Sequence, residues 1–202
     1  MKIILNENQY KLLFEFDDFS KELTEIKNLI ESGLEENIVL AFQIGEGMES
    51  YVPNFNMFGL ISYNYGSLLN LIRIRKTDSM PQKLLNLFDT TTLKLSGHRL
   101  FKLPLNLDKL KNLQTLDLSS NDFSQFPMGL CSMTSLINIK LNDNKISEIP
   151  PCIANLKNLE YLGLRNNLLS EDDYKTISKY NPKTIISFTD NIYAQHNKVH
   201  RY

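Results

Sequence analysis

The sequence predicts an α/β chain in which short parallel strands stack into a curved solenoid, preceded by a mostly helical N-terminal region. Three observations lead there. From about Thr90 to Asn191 the chain repeats itself every 23 residues; the second half of each copy carries its own aligned apolar and proline columns; and residues 1 to 88 contain no copy of the pattern. The expected organisation is therefore 1–88 as a helical region or cap, 89–192 as four repeats and a C-terminal half repeat, and 193–202 as a flexible tail.

The first half of each copy reads L-x-x-L-x-L-x-x-N. The copies begin Thr90, Leu93, Leu95, His98; then Leu113, Leu116, Leu118, Asn121; then Leu136, Ile139, Leu141, Asn144; then Leu159, Leu162, Leu164, Asn167. Leu116 and Leu118, with their equivalents, sit two apart and so point the same way from a strand, and stacked strands turn them into a buried ladder. Asn121, Asn144 and Asn167 fall where the chain must turn out of the strand, and their amides can bond backbone groups there, which makes them structural. His98 takes that place in the first copy as a weaker turn residue of a terminal repeat. In the second halves, Leu100, Phe123, Ile146 and Leu169 form one column, and Pro104, Pro127 and Pro150 another. Each proline fixes its own φ and holds its predecessor extended, steering the chain along the outer side.

The last copy lacks the proline. Ser170 reads as a helix N-cap with Asp173 three residues on, followed by Tyr174, Ile177 and Tyr180 on one face and a stop at Asn181 and Pro182. A half copy, Pro182, Ile185, Ser187, follows, with Phe188 and Ile192 placed to cover the open edge. His196 and His200 read as tail residues.

In the N-terminal region, Tyr10, Leu12, Leu13, Phe16 and Phe19 suggest a first helix. A stronger one runs from Ser20 to Glu31 and ends at Gly33; another runs from Glu35 to about Ile44, burying Ile38, Val39, Ala41 and Phe42 and closing at Gly45 or Gly47. From Asn56 to Leu71, Gly59 and Gly66 leave open several helices or one helix with a bend. Ser79 reads as the N-cap of a helix from Met80 to Phe88, whose leucines suit a plug for the first repeat.

Composition excludes several functions. The chain is nearly neutral, with 22 basic and 23 acidic side chains, but residues 1–50 carry four lysines against eleven acids and residues 51–202 carry eighteen basic residues against twelve acids. The basic excess is scattered, with Arg73, Arg75 and Lys76 its densest cluster, so nucleic acid is not expected as a partner. No apolar run approaches 18 residues and the opening MKIILNENQY is too short for a leader, so no membrane association and a cytoplasmic location are expected. Cys131 and Cys152 lie two positions out of phase in adjacent repeats and are read as buried thiols rather than a bridge. Gly45, Gly47 and Met48 in QIGEGME meet neither dinucleotide nor Walker spacing, and the neighbouring acids would repel phosphate. No metal site, cofactor or catalytic constellation is expected, so the chain is read as no enzyme.

The columns resemble those of the leucine-rich repeat family, in the typical bacterial and plant-like form whose second half reads L-x-x-L-P-x-x-L-x-x-L. The stretch KNLIESGLEENIVLAFQIGEG is similar to the helical lead-in of uncharacterised leucine-rich repeat proteins of Bacteroidetes. The resemblance implies a right-handed horseshoe with parallel strands on its concave side, and that side as the binding surface for a protein or peptide. It places three rows there: Thr92, Thr115, Asn138, Tyr161; Lys94, Asp117, Lys140, Gly163; and Ser96, Ser119, Asn142, Arg165. Lys94, Asp117 and Lys140 are near enough across strands to satisfy one another. Tyr161 and Arg165, two positions either side of Gly163, are the leading contact candidates, since aromatic and guanidinium groups are enriched in binding hot spots. The other candidates are Thr115, Asp117, Asn138, Lys140, Asn142 and Lys94. The alternative is that residues 1–88 are a separate regulatory or enzymatic domain, with the repeats as its targeting arm.

Overall fold

The structure is a computed structural model and describes residues 20–51, 55–71 and 78–188. The expected helix at Tyr10–Phe19, the Arg73–Lys76 cluster, Ile192 and the tail histidines lie outside these residues. The described residues form two compact units: one holds those up to Leu69 together with 78–87, the other those from Phe88 onward with Asn70 and Leu71.

In the first unit, α1 (Ser20–Glu31) packs against α2 (Glu35–Tyr51). Gly33 joins them at φ 70°, a left-handed turn open to a residue without Cβ. Leu23, Ile26 and Ile30 recur at helical spacing and are buried, as are Ile38, Ala41 and Met48 of α2. Val39, expected inside, is 42% exposed. The helix also does not close at Gly45. A Cβ there would stand 2.8 Å from Met57 Sδ at the start of α3 (Met57–Leu71), so the missing side chain serves a close approach between helices, and α2 continues to bury Met48. Residues 57–71 form one helix, with Leu60, Ile61, Tyr65 and Leu68 buried. The fourth helix, α4 (Met80–Phe88), starts where Ser79 Oγ accepts from the Gln82 N–H at 3.4 Å.

The second unit contains β1 (Thr92–Lys94), β2 (Thr115–Asp117), β3 (Asn138–Lys140), β4 (Tyr161–Gly163) and β5 (Ile185–Ser187), parallel and in chain order in one sheet. Leu93, Leu116, Ile139 and Leu162 stack in register, and with Leu95, Leu118, Leu141 and Leu164 they form the buried ladder. On the outer side, the carbonyls of Pro104, Pro127 and Pro150 accept from the N–H three residues on, opening the 3₁₀ turns Leu107–Lys109, Met128–Ser132 and Pro151–Asn155.

The turns out of the strands share one construction. Gly97, Ser120, Asp143 and Asn166 all have positive φ, and the asparagine after each of the last three is buried. Asn121 Nδ2 lies 2.8, 2.9 and 3.2 Å from the carbonyls of Leu95, Leu118 and Ser119, while its Oδ1 accepts from the N–H groups of His98 and Leu100. Asn144 reaches Leu118, Leu141 and Asn142 in the same way and accepts from Phe123; Asn167 reaches Leu141, Leu164 and Arg165 and accepts from Ile146. Backbone groups that the turn would bury unpaired are thus satisfied by one amide per coil. His98 is exposed, with Nδ1 2.9 Å from the Ser96 carbonyl, and supplies no such bridge.

The C-terminal coil departs from the others. Ser170 caps α5 (Glu171–Tyr180) in a reciprocal box, its Oγ accepting from the Asp173 N–H at 3.2 Å while Asp173 Oδ2 accepts from the Ser170 N–H at 2.8 Å. Ile177 is buried; Tyr174 and Tyr180 are 36% and 37% exposed, and the Tyr174 ring lies 5.4 Å from that of Phe188. The helix takes one more residue than the turns it replaces. Tyr161 therefore pairs with Ile185 and Leu162 with Ile186, a step of 24, so the half copy is displaced by one from its expected register and Ile185 faces outward, 68% exposed.

The expectation of two thiols is corrected. Cys131 and Cys152 form a disulfide with Cα atoms 5.6 Å apart. They occupy adjacent 3₁₀ turns, where a two-residue offset is a diagonal step across the stack, within the Cα spacing a disulfide needs. No helix among the described residues is long and apolar enough to cross a membrane.

Candidate functional site

The open face of the sheet gathers the candidate side chains because all five strands run in register. Thr115, Asn138 and Tyr161 stand side by side on β2, β3 and β4, half-buried, with neighbouring strands about 4.8 Å apart. Asn138 Nδ2 donates to Thr115 Oγ1 at 3.3 Å. In the next row Asp117 Oδ1 accepts from the Ser119 N–H at 3.0 Å and holds its own turn. The three-way pairing expected of Lys94, Asp117 and Lys140 does not form: the ion pairs among the described residues join Lys145 to Asp122, and Lys175 to Glu171 and Asp172. Lys94, which is exposed, and Lys140, which is half-buried, keep their charge on this face without a counter-ion among the described residues.

Gly163 does not leave an open notch. It is buried, and a Cβ built on it would lie 3.0 Å from the Asn142 amide and 3.2 Å from Tyr161 Cε1. Its neighbours lean into the space that a side chain would fill. Asn142 Oδ1 accepts from the Arg165 N–H at 3.0 Å, which ties the Arg165 backbone to the coil before it and leaves the exposed guanidinium at the rim.

Two features were not legible from the columns. Ile185 joins the row that ends in Tyr161, because of the 24-residue step, and gives this corner of the sheet an exposed apolar side chain. The second is a groove of about 1010 Å³ along the ends where the chain enters the strands, lined by Thr91, Gln114, Ile137 and Glu160 and by Lys111, Lys157, Lys183 and Ile185. The first four precede β1 to β4 directly. Thr91, Gln114 and Ile137 each accept, through the carbonyl, from two N–H groups of the following coil, and Glu160 accepts from Ile185. The same 23-residue alignment, read one position earlier, would have exposed this column. Among the described residues no group of three or more His, Cys, Asp or Glu side chains is placed to hold a metal ion.

Residues 111–169 match the family model for leucine rich repeat. No curated protein matches the chain. Among solved structures, a leucine-rich repeat protein of Leptospira interrogans is 34% identical over 55% of this chain and 28% of its own, with a TM-score of 0.48. An internalin from Listeria monocytogenes is 23% identical over 63% of this chain and 35% of its own, with a TM-score of 0.44. The leucine-rich repeat ectodomain of a plant membrane receptor kinase from Arabidopsis thaliana is 32% identical over 43% of this chain and 11% of its own, with a TM-score of 0.35. The chain spans about a third or less of the length of each. The family match falls on the coils whose leucine ladder and asparagine bridges are described above; the 23-residue units are leucine-rich repeats, and the chain that carries them belongs to that family.

Proposed function

We propose that this chain is a non-catalytic protein-interaction module that takes a peptide or a modest protein surface on the concave face of its repeats. Tyr161 and Arg165 lead the contact, with Thr115, Asp117, Asn138, Lys140, Asn142 and Lys94 around them and Ile185 as a further apolar anchor. One observation carries the reading: Lys94, Lys140 and Arg165 outnumber Asp117 on a face where the lysines have no counter-ion among the described residues, beside an aromatic and an exposed isoleucine in one row. Unpaired cations next to apolar anchors suit a partner that brings carboxylates and an apolar side chain, and aromatic and arginine anchors are where interface energy concentrates. In this reading residues 1–88 are a cap and 89–192 the binding domain.

The test is a crosslinking pull-down from native lysate with wild type and with Tyr161→Ala combined with Arg165→Ala. Loss of the partner in the double variant, at unchanged thermal midpoint and circular dichroism, supports the concave face. A partner retained by the double variant overturns it and assigns the binding to the helical region as a separate regulatory or enzymatic domain.

A further inference from the structure

We infer that the chain folds and works in an oxidising compartment, where the Cys131–Cys152 disulfide staples two adjacent coils of the solenoid. These are the only cysteines in the sequence. They stand on the consecutive 3₁₀ turns Met128–Ser132 and Pro151–Asn155, 21 residues apart in sequence and 5.6 Å apart at Cα. At a period of 23, the residue in phase with Cys131 is Ala154, and the one in phase with Cys152 is Gly129. Both are small, so each sulfur can lean diagonally past its in-phase neighbour to the other.

The position fits a structural bond better than a catalytic one. The chain has no third cysteine to attack the pair, and Cys131 is buried. The loop closed by the bond is one entire coil, containing β3, Asn144 and the face residues Asn138, Lys140 and Asn142. Inside the solenoid that coil is held by strand pairing and by the bond from Asn144 to the Leu118 carbonyl; the disulfide holds the opposite, outer side. A coil in such a stack contacts only its neighbours, so a tie between two of them resists the step by which the stack would open.

Formation of the bond removes two electrons and two protons from the thiols. The acceptor is the disulfide of a dithiol oxidase: one cysteine thiolate attacks it to form a mixed disulfide, and the second displaces the oxidase, which leaves as a dithiol. Such bonds persist where the thiol-reducing systems of the cytosol do not reach. The cytoplasmic location expected from the sequence is therefore set aside in favour of an extracytoplasmic or equivalently oxidising one.

The experiment is done on the protein in its own cells. They are quenched in acid, denatured and alkylated without reductant, and the tryptic fragments 112–140 and 146–157 are weighed. The expected result is one disulfide-linked pair that carries no alkyl group and takes up two only after reduction. Two alkylated cysteines in the unreduced sample, or a bond to another chain, overturn the inference. A second measurement separates a staple from an incidental bond. Cys131→Ser with Cys152→Ser, and wild type held reduced, should both melt about 10 °C below the oxidised protein, from the loop entropy of a closed coil of this length. Equal melting of oxidised and reduced wild type would overturn the staple, whether or not the double variant folds.

Discussion

The Asn142 amide occupies the volume that any side chain on Gly163 would need, 3.0 Å from where a Cβ would stand. Glycine on β4 is thus a condition for the position of Asn142 and for the bond that Asn142 makes to the Arg165 N–H. Gly163→Ala should cost about 1–3 kcal/mol in urea unfolding, as overpacking at a filled site does. The same change made on an Asn142→Ala background should cost measurably less, because the obstructing amide is gone. Equal costs on both backgrounds would place the obstruction elsewhere.

Ile185 and Ile186 are neighbours with opposite duties. Ile185→Asp, at a site 68% exposed, should leave unfolding within about 0.5 kcal/mol of wild type. Ile186, half-buried opposite Leu162 in the ladder, should lose about 2 kcal/mol or more on the same change, as a buried charge requires. In the pull-down, the Ile185 variant should lose the partner while remaining folded. The reverse order of stabilities would mean that the last strand follows the 23-residue step.

What the sequence disclosed and what it hid divide along physical lines. The ladder, the asparagine bridges, the proline turns and the Ser170 cap each rest on contacts at a fixed sequence spacing, so the spacing reveals them. The register of β5 does not: it depends on how many residues α5 spends crossing the outer side, and no column records that. The disulfide was hidden for a related reason, since alignment by phase compares positions straight across the stack while Cys131 and Cys152 meet on a diagonal. Gly45 was misjudged because its lack of a side chain serves Met57, a partner outside its own helix. The mutual neutralisation of Lys94, Asp117 and Lys140 was plausible from strand spacing alone, but Asp117 turns to the Ser119 N–H instead.

The two glycines of α2 offer a direct contrast. A Cβ on Gly45 meets Met57 Sδ at 2.8 Å and Met57 Cβ at 3.2 Å, so Gly45→Ala should destabilise by about 1–3 kcal/mol. At Gly47 nothing lies within 4 Å, and alanine there should stabilise by up to about 1 kcal/mol through helix propensity. Thermal melting of the two single variants is enough to check the signs. Two shifts of the same sign would contradict the assigned packing.

The asparagine bridges should be far more sensitive than the histidine that stands in their column. Asn144→Ala removes the donor to three carbonyls and the acceptor for the Phe123 N–H, and should cost about 3 kcal/mol. His98→Ala, at an exposed position that bridges no coils, should cost less than about 0.5 kcal/mol. Chemical denaturation at neutral pH measures both, and comparable losses would assign His98 a role its geometry does not show.

These amides also give the stack a head and a tail. Asn121, Asn144 and Asn167 each bond to their own coil and to the one before it. A coil added at the head can therefore carry any turn residue, as the one containing His98 does, because the coil behind it brings the amide that satisfies its backbone. A coil added at the tail must supply that amide itself. Lengthening the solenoid is thus permissive in one direction and demanding in the other, and a shuffled or duplicated unit would succeed or fail by the end at which it lands.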